Sequence, residues 1–539
     1  MQKKKTSILL QVLLMLAVVL TLAACAGRAK PGTVRSLFCS GKKIESLQAE
    51  RTESREELVE NILIGGVPLV KDQETGQLYY SIPQNRKNGE LEISWPQKDR
   101  VKLAVLQNFE GNNLPSGQTV ELIAYTKTEW QKIELVCTPL PIMSLQVDGD
   151  ADSIEKYESS PVQMTLIDNR ETAGLHTVQS TGTIHARGVG SARFPKKGYR
   201  FTLRHGNGEE NDMALLGLRN DGDWILYAGY TETEKIRQVF SAKIWREGCG
   251  KNNSFGVQNS NDYRYLELFL NGRYWGLYAL GYPIDAKQLN IGEGEYIFSK
   301  QDFLVSESGI DFDTEAEIPG YEIMAGDTVN TDWASIWKPI KSYYKTLLAK
   351  ESTSKELKAL ADEGSAVDAW LFTNLIQGVD QVLDEGTLYN YRLTTKQTDD
   401  GTKILFTPWD FDLSWGAVSA DDPEAMLSPE ENVLMNLNPV HILLQRGDAE
   451  TLAAVETRYQ ELREGAWSEE TMMELIDGYE ENIFASGAYE RDAARWPESA
   501  HHAGQTDLSE FRAYVAKRLA AMDAFMQGLE KSEALQPEK

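Results

Sequence analysis

The rhythm of apolar and polar residues changes several times along this chain. Residues 8–24 form an apolar run interrupted by Gln11. From about 58 to 138 the pattern becomes alternation. Gly89-Glu-Leu-Glu-Ile-Ser-Trp95 and Thr119-Val-Glu-Leu-Ile-Ala-Tyr125 put every second side chain on one face, the mark of a half-buried strand. Turn clusters Gly111-Asn112-Asn113 and Pro115-Ser116-Gly117 separate such runs, which predicts a small β-sandwich over residues 56–139. Pro139-Leu140-Pro141 closes it, and residues 25–55, with Pro31-Gly32 as a breaker, read as a tether. Residues 160–300 stay β-rich, with one helix expected at about 232–247. Beyond Thr331 the period turns helical: Trp333, Ile336, Trp337, Ile340, Tyr343, Tyr344 and Leu347 fall at i, i+3, i+4, i+7, and Val367, Trp370, Leu371 and Leu375 repeat the spacing. A strand pair near 389–393 and 404–407 follows, then helices to Leu529. A β-rich part followed by a helical one predicts an α+β domain of two lobes over residues 140–530.

Composition changes this picture little: 41% hydrophobic and 25% charged residues suit a globular protein. Charge changes it more. A formal charge of −26 argues against nucleic acid or anionic lipid as a general partner, since both would be repelled. Cys39, Cys137 and Cys249, widely spaced and without a CxxC pair, make neither a disulfide framework nor a zinc site. The fourth cysteine, Cys25, has a different setting. Lys3-Lys4-Lys5 precede the apolar run and Ala23-Ala24 end it, the layout of an export leader. The run falls short of the roughly 20 residues of a membrane span, and the small residues before a thiol resemble a bacterial lipobox. The expectation is therefore removal of residues 1–24 and lipidation of Cys25. That would tether the protein to the extracytoplasmic face of the cell membrane, at about 0.8 kcal/mol per buried methylene. Losing Lys3, Lys4 and Lys5 takes the charge from −26 to −29.

Several segments could carry chemistry. Asp148-Gly149-Asp150-Ala-Asp152 is acidic enough for a calcium loop but lacks the twelfth-position carboxylate, which favours an exposed turn. Arg187-Gly188-Val189-Gly190-Ser191 leads into Pro195-Lys196-Lys197-Gly198-Tyr199-Arg200. A glycine-rich turn before a cationic strand can surround phosphate, although a plain β-turn gives the same letters. Asp223-Trp224-Ile225-Leu226 reads as a strand, followed by a helix start carrying Arg237. The segment Tyr265 to Tyr278 has Asn271-Gly272 at its centre, a strong hairpin signal. Asp380 and Asp384, then Asn390, then Pro408-Trp409-Asp410-Phe411-Asp412, place carboxylates and a carboxamide at the ends of adjacent strands. Such oxygens suit Mg²⁺, and a further Asp could accept a hydroxyl proton, as in protein kinases. By spacing alone a solvated acidic loop reads equally well.

In this order, the Arg-Gly turn, Pro-Lys-Lys-x-Tyr-Arg, Leu-Leu-Gly-Leu with Asp-Trp-Ile-Leu, Leu-Asn-Gly-x-Tyr-x-Gly-x-Tyr and Pro-Trp-Asp-Phe-Asp-Leu resemble the CotH kinase family, the spore-coat-protein-H-like proteins. The likeness runs from about 140 to 420, with a weaker helical tail to about 525. It implies an atypical protein-kinase-like fold that uses ATP and Mg²⁺ to phosphorylate a surface or coat protein. On it, Lys197 resembles the phosphate-contacting lysine, with Arg187, Ser191, Arg200 and Arg237 as further nucleotide contacts. Asp380 resembles the catalytic Asp, with Asp384 as its rival. Asn390 and Asp410 resemble the Mg²⁺ ligands, with Asp412 assisting. Two positions depart from the family pattern: Val189-Gly190 stands where Asn-Ser is usual, and Tyr282-Pro283 where a Glu is usual. These departures leave open a noncatalytic surface binding or scaffold protein with the same fold. A carbohydrate-active protein using the Asp and Trp residues of 409–415 is the weakest alternative, because no sugar cleft is recognisable.

Overall fold

A computed structural model describes residues 32–84, 88–170, 176–188, 190–383, 387–502, 504–532 and 535. The expected leader and Cys25, and with them Val189 and Asp384, lie outside the described residues. The protein is mixed α+β and divides into two units. One comprises Met1–Ser144, Thr165–Gln179 and Gly272–Tyr274; the other comprises Leu145–Met164, Ser180–Asn271 and Trp275–Lys539.

The first unit is built on two sheets. Strands Gln118–Tyr125 and Glu129–Thr138 pair antiparallel through the turn at Thr126, with Leu122 opposite Ile133. Lys102–Leu106 extends that sheet, while Glu92–Ser94, Leu63–Ile64 and Val67–Pro68 belong to the other. Ile64 and Ile93 from one sheet and Val105, Leu122, Ile133 and Leu135 from the other share one core. Residues 32–54 are not a tether. Phe38–Cys39 pairs parallel with Val105 and Leu106, and the helix Gly41–Ala49 lays Ile44 and Leu47 on Ala104 and Ile123. The i, i+3 pair Ile44 and Leu47 makes the short apolar stripe that holds this helix down.

A closed barrel takes the strands Ile142–Val147, Ser160–Asp168, His176–Arg187, Gly198–Arg204, Asp223–Tyr227, Arg273–Gly281 and Tyr263–Leu270, in that neighbour order. The expected hairpin is its last pair. Asn271 and Gly272 both take positive φ, 50° and 74°, which the tight turn requires. The helix foreseen at 232–247 is Arg237–Gly248.

In the second unit a four-stranded sheet follows, ordered Tyr321–Ala325, Ile297–Lys300, Tyr391–Thr398, Gly401–Pro408. The helix Trp333–Leu348 buries Ile336, Trp337, Ile340, Tyr343, Tyr344 and Leu347, the face its spacing marked. The helix Glu363–Ile376 is buried along almost its whole length, with Trp370 and Phe372 inside it. It starts at Asp362, whose side chain accepts from Ser365 N. It ends against Arg518 of the helix Ser509–Gln527, which donates to Asn374 O at 2.6 Å and Leu375 O at 3.2 Å. A buried helix end leaves carbonyls without partners, and a guanidinium satisfies them. Gln377 then turns the chain with φ 51° toward Asp380. No helix of the described residues is long and apolar enough to cross a membrane.

Candidate functional site

Local structure brings the expected acids together. Asp380 O accepts from Asn390 N at 3.3 Å, and the bridge between Val382 and Leu388 closes the intervening loop. Asn390 Nδ2 then donates to Asp380 Oδ2 at 3.2 Å. The next strand pair sets Tyr391 opposite Pro408, so Trp409 N reaches Asn390 O at 3.1 Å and Asp410 arrives beside the same loop. Asp410 has a left-handed φ of 60°, a conformation that costs a non-glycine residue about 1 kcal/mol or more. Hydrogen bonds hold it there: Gln381 Nε2 donates to Trp409 O at 3.1 Å and Asp410 O at 2.6 Å, and Phe411 N donates to Gln238 Oε1 at 2.6 Å. Asp412 Oδ1 accepts from Leu413 N at 3.0 Å.

Electrostatics tie these groups into one set. Burial, then the charge of Asp410, pushes Asp380 up to about 6, against the hydrogen bond from Asn390. Burial also raises Asp410, opposed by Arg187 and Arg392. Asp412 lies well above the usual carboxylate range through burial and then the charges of Asp410, Asp380 and Glu232. Like charges held close in a poorly solvated site resist ionising together. Arg392 is lowered to about 9 by burial and then by Arg187, and its guanidinium lies 4.0 Å over the Trp409 ring. Cations and carboxylates therefore face one another here.

The other expected contacts are placed as follows. Arg187 ends its barrel strand within electrostatic reach of Asp410. Arg200 forks onto Asp223 and acts on Arg392. Ser191 is exposed in the turn Ser191–Arg193, which Arg193 ties to Asp421 at 2.6 Å. Lys197 and Arg237 have other surroundings. Of the two adjacent lysines, Lys196 is the buried one, 2.6 Å from Asp492 and 2.7 Å from Leu277 O, while Lys197 is half-buried. The strand begins only at Gly198, so both lysines precede it, where alternation says nothing about direction. Arg237 is buried, with Nη2 on Glu234 at 2.9 Å, so it closes an ion pair within the fold. Tyr282, standing where the resemblance expects a Glu, is buried; it accepts from Arg246 at 3.1 Å and lies under the Arg219 guanidinium. Sequence reasoning missed Arg392, Glu232, Gln238 and Gln381. Gln381 adjoins Asp380, Gln238 adjoins Arg237 and Arg392 lies two residues beyond Asn390, so their places along the chain lay close to marked residues, but their roles did not show.

The donors fit a hard divalent cation, which takes carboxylate and carboxamide oxygens and keeps waters. One buried atom points the same way: Glu232 Oε2 has no hydrogen-bond partner among the described residues. The set is open rather than a finished cage. Among the described residues, three carboxylates with oxygens all within 4.8 Å of one another occur only at Glu210, Asp212 and Asp221. That trio lines a cavity of about 650 Å³ with His205 and Asp285. There Asp212 is paired with Lys287 at 2.9 Å and Asp221 with Arg219, so its charge is already partly met.

No curated protein matches this chain. The family model described as CotH kinase protein matches residues 184–522. The match starts later than the likeness read from about 140 and takes in the helical tail. It covers well over half of the chain, from the strand that ends in Arg187, through Asp380, Asn390 and Asp410, to the helix carrying Arg518. On that match, and with these residues assembled in one place, the chain belongs to the CotH kinase protein family.

Proposed function

We propose that this protein is a membrane-tethered, extracytoplasmic kinase that transfers the γ-phosphoryl group of ATP to Ser or Thr of a surface or coat protein. One observation carries the reading. Asp380, Asn390 and Asp410 meet through short local connections, while Arg187 and Arg392 act on Asp410 from other strands. Cations on the barrel and acids beside the four-stranded sheet also support a two-lobed, kinase-like arrangement. Asn390, Asp410 and Asp412 would hold Mg²⁺, which would supply positive charge to offset that of the phosphates. Arg187 and Arg392 would bind and orient the phosphates, with Arg200 beside them. Asp380 would accept the proton of the acceptor hydroxyl as its oxygen bonds to the γ-phosphorus and ADP leaves. Asn390 Nδ2 orients that carboxylate. The tether would be the lipid on Cys25.

Transfer of labelled phosphate from Mg-ATP to a Ser/Thr-rich protein is the direct assay. Asp410→Ala is expected to lower it at least about a hundredfold, the scale of losing one charge-stabilising group. Equal transfer by both proteins would sink the assignment. The rate should climb with pH along a limb at or below about 6, where Asp380 gives up its proton, and a bound cation would move that limb lower. A second reading, a noncatalytic surface protein of the same fold, is favoured by Tyr282, whose ring and hydroxyl engage Arg219 and Arg246 where the resemblance expects a carboxylate. It predicts nucleotide-independent partner binding and no transfer.

A further inference from the structure

Glu232 sits in the loop before the helix Arg237–Gly248, with no exposed surface. Its Oε1 is satisfied: Tyr227 Oη donates to it at 2.6 Å and Gln238 N at 3.0 Å. Its Oε2 has no hydrogen-bond partner among the described residues. A dry carboxylate oxygen without a donor costs several kcal/mol, and a Gln would offer the same acceptor to Tyr227 and Gln238 without the charge.

The cations nearest in sequence give their hydrogen bonds to other groups. Lys235 Nζ donates to Gly229 O at 2.7 Å and stands 4.0 Å from Asp492. Arg237 Nη2 is on Glu234 at 2.9 Å. None of these cations hydrogen-bonds Oε2, although Arg237, Lys235 and Lys196 share its field, and the charge of Glu232 also reaches Asp412 and Tyr227. Thr231, the residue before it, lies with its hydroxyl 3.5 Å from Asp412 Oδ2. Two acids are thus held within electrostatic reach, one with a bare oxygen. A divalent cation neutralises such an arrangement.

We infer that Glu232 supplies an oxygen ligand to a divalent cation shared with Asp412, a ligand beyond the Asn390 and Asp410 pair. The inference rests on the cation-dependent reading of the site proposed above. Tyr227 and Gln238 are its positioning residues, fixing Oε1 so that Oε2 is presented without a search through rotamers. Because a hard cation completes its shell with water and phosphate, the acids need not form a tight cage beforehand.

The test is Mn²⁺ binding to the purified full chain, followed by calorimetry and by the electron paramagnetic resonance signal of the free ion, with no nucleotide and no turnover. Glu232→Gln keeps the acceptor for Tyr227 and Gln238 and is expected to melt no lower than the parent without metal, yet to bind Mn²⁺ at least about tenfold more weakly. Asp410→Asn is expected to weaken binding as well. If Asp410→Asn weakens binding and Glu232→Gln binds as tightly as the parent, the Glu232 assignment falls and the cation site stands. If the parent binds no Mn²⁺ up to millimolar, the cation reading itself fails and takes this inference with it. Should Glu232→Gln not fold, anomalous scattering from Mn²⁺ in crystals of the parent decides: an ion within about 2.5 Å of Glu232 Oε2 supports the assignment, and an ion bound only at Asn390 and Asp410 overturns it.

Discussion

Lys196 and Lys197 are adjacent in the sequence and opposite in what they do. Asp492 is buried, which alone would raise it, yet Lys196, then His502 and Lys235, hold it at about 2. Removing one partner of such a buried pair costs about 3–5 kcal/mol. Urea unfolding should therefore show Lys196→Ala destabilised by that amount and Lys197→Ala unchanged within about 0.5 kcal/mol; similar effects at both positions would contradict the assignment. Asp380 offers a second test. It holds its proton more tightly folded, at about 6, than unfolded, at about 3.9. Between those values the folded state binds more protons, so this group makes stability fall as pH rises through the window. Asp380→Asn should flatten that limb by about 3 kcal/mol, read from urea midpoints without metal. An unchanged limb would mean the carboxyl is not perturbed. Neither property was visible in the letters, because each depends on side chains far away in sequence.

At the level of elements, what was legible is what depends on neighbours along the chain. The spacing of Trp333 to Leu347 marked a helix and its buried face, and Asn271-Gly272 marked a turn. The strand pair after Tyr389 was read correctly in kind, and its register, Tyr391 opposite Pro408, brings Asn390 beside Trp409 and Asp410. The tether was misread because Phe38, Ile44 and Leu47 are too few to announce a strand and a helix; they become core only against Val105, Ala104 and Ile123. Gly276 tests packing at this scale. With φ of 119° and a Cβ position that meets the Asp492 carboxylate and lies 3.2 Å from Trp496 Nε1, Gly276→Ala should cost roughly 2–4 kcal/mol in urea unfolding. A change under about 0.5 kcal/mol would show that the helix Ala488–Arg495 can shift away.

Over the whole molecule, the ordered series of short motifs disclosed the family while leaving half of the site unread. Asp380, Asn390 and Asp410 could be named because they lie within one stretch of chain. Arg392, although it lies in that same stretch, and Glu232 could not, since a single charged residue carries no mark of the partners the fold gives it. A chain of formal charge −26 that concentrates buried acids beside arginines has a reason to do so if it binds a cation and an anion together, as Mg-ATP requires. Any ligand that binds only the folded state raises its stability, by about 2.7 kcal/mol at a hundredfold excess over Kd. The most direct measurement is therefore the thermal unfolding midpoint of the full chain with Mg-ATP, with ATP and EDTA, and with neither, alongside Asp410→Ala. The account predicts a rise of several degrees with Mg-ATP alone, lost in Asp410→Ala, whose ligand-free midpoint stays at or above that of the parent. A midpoint indifferent to Mg-ATP, or an equal rise in Asp410→Ala, would contradict it.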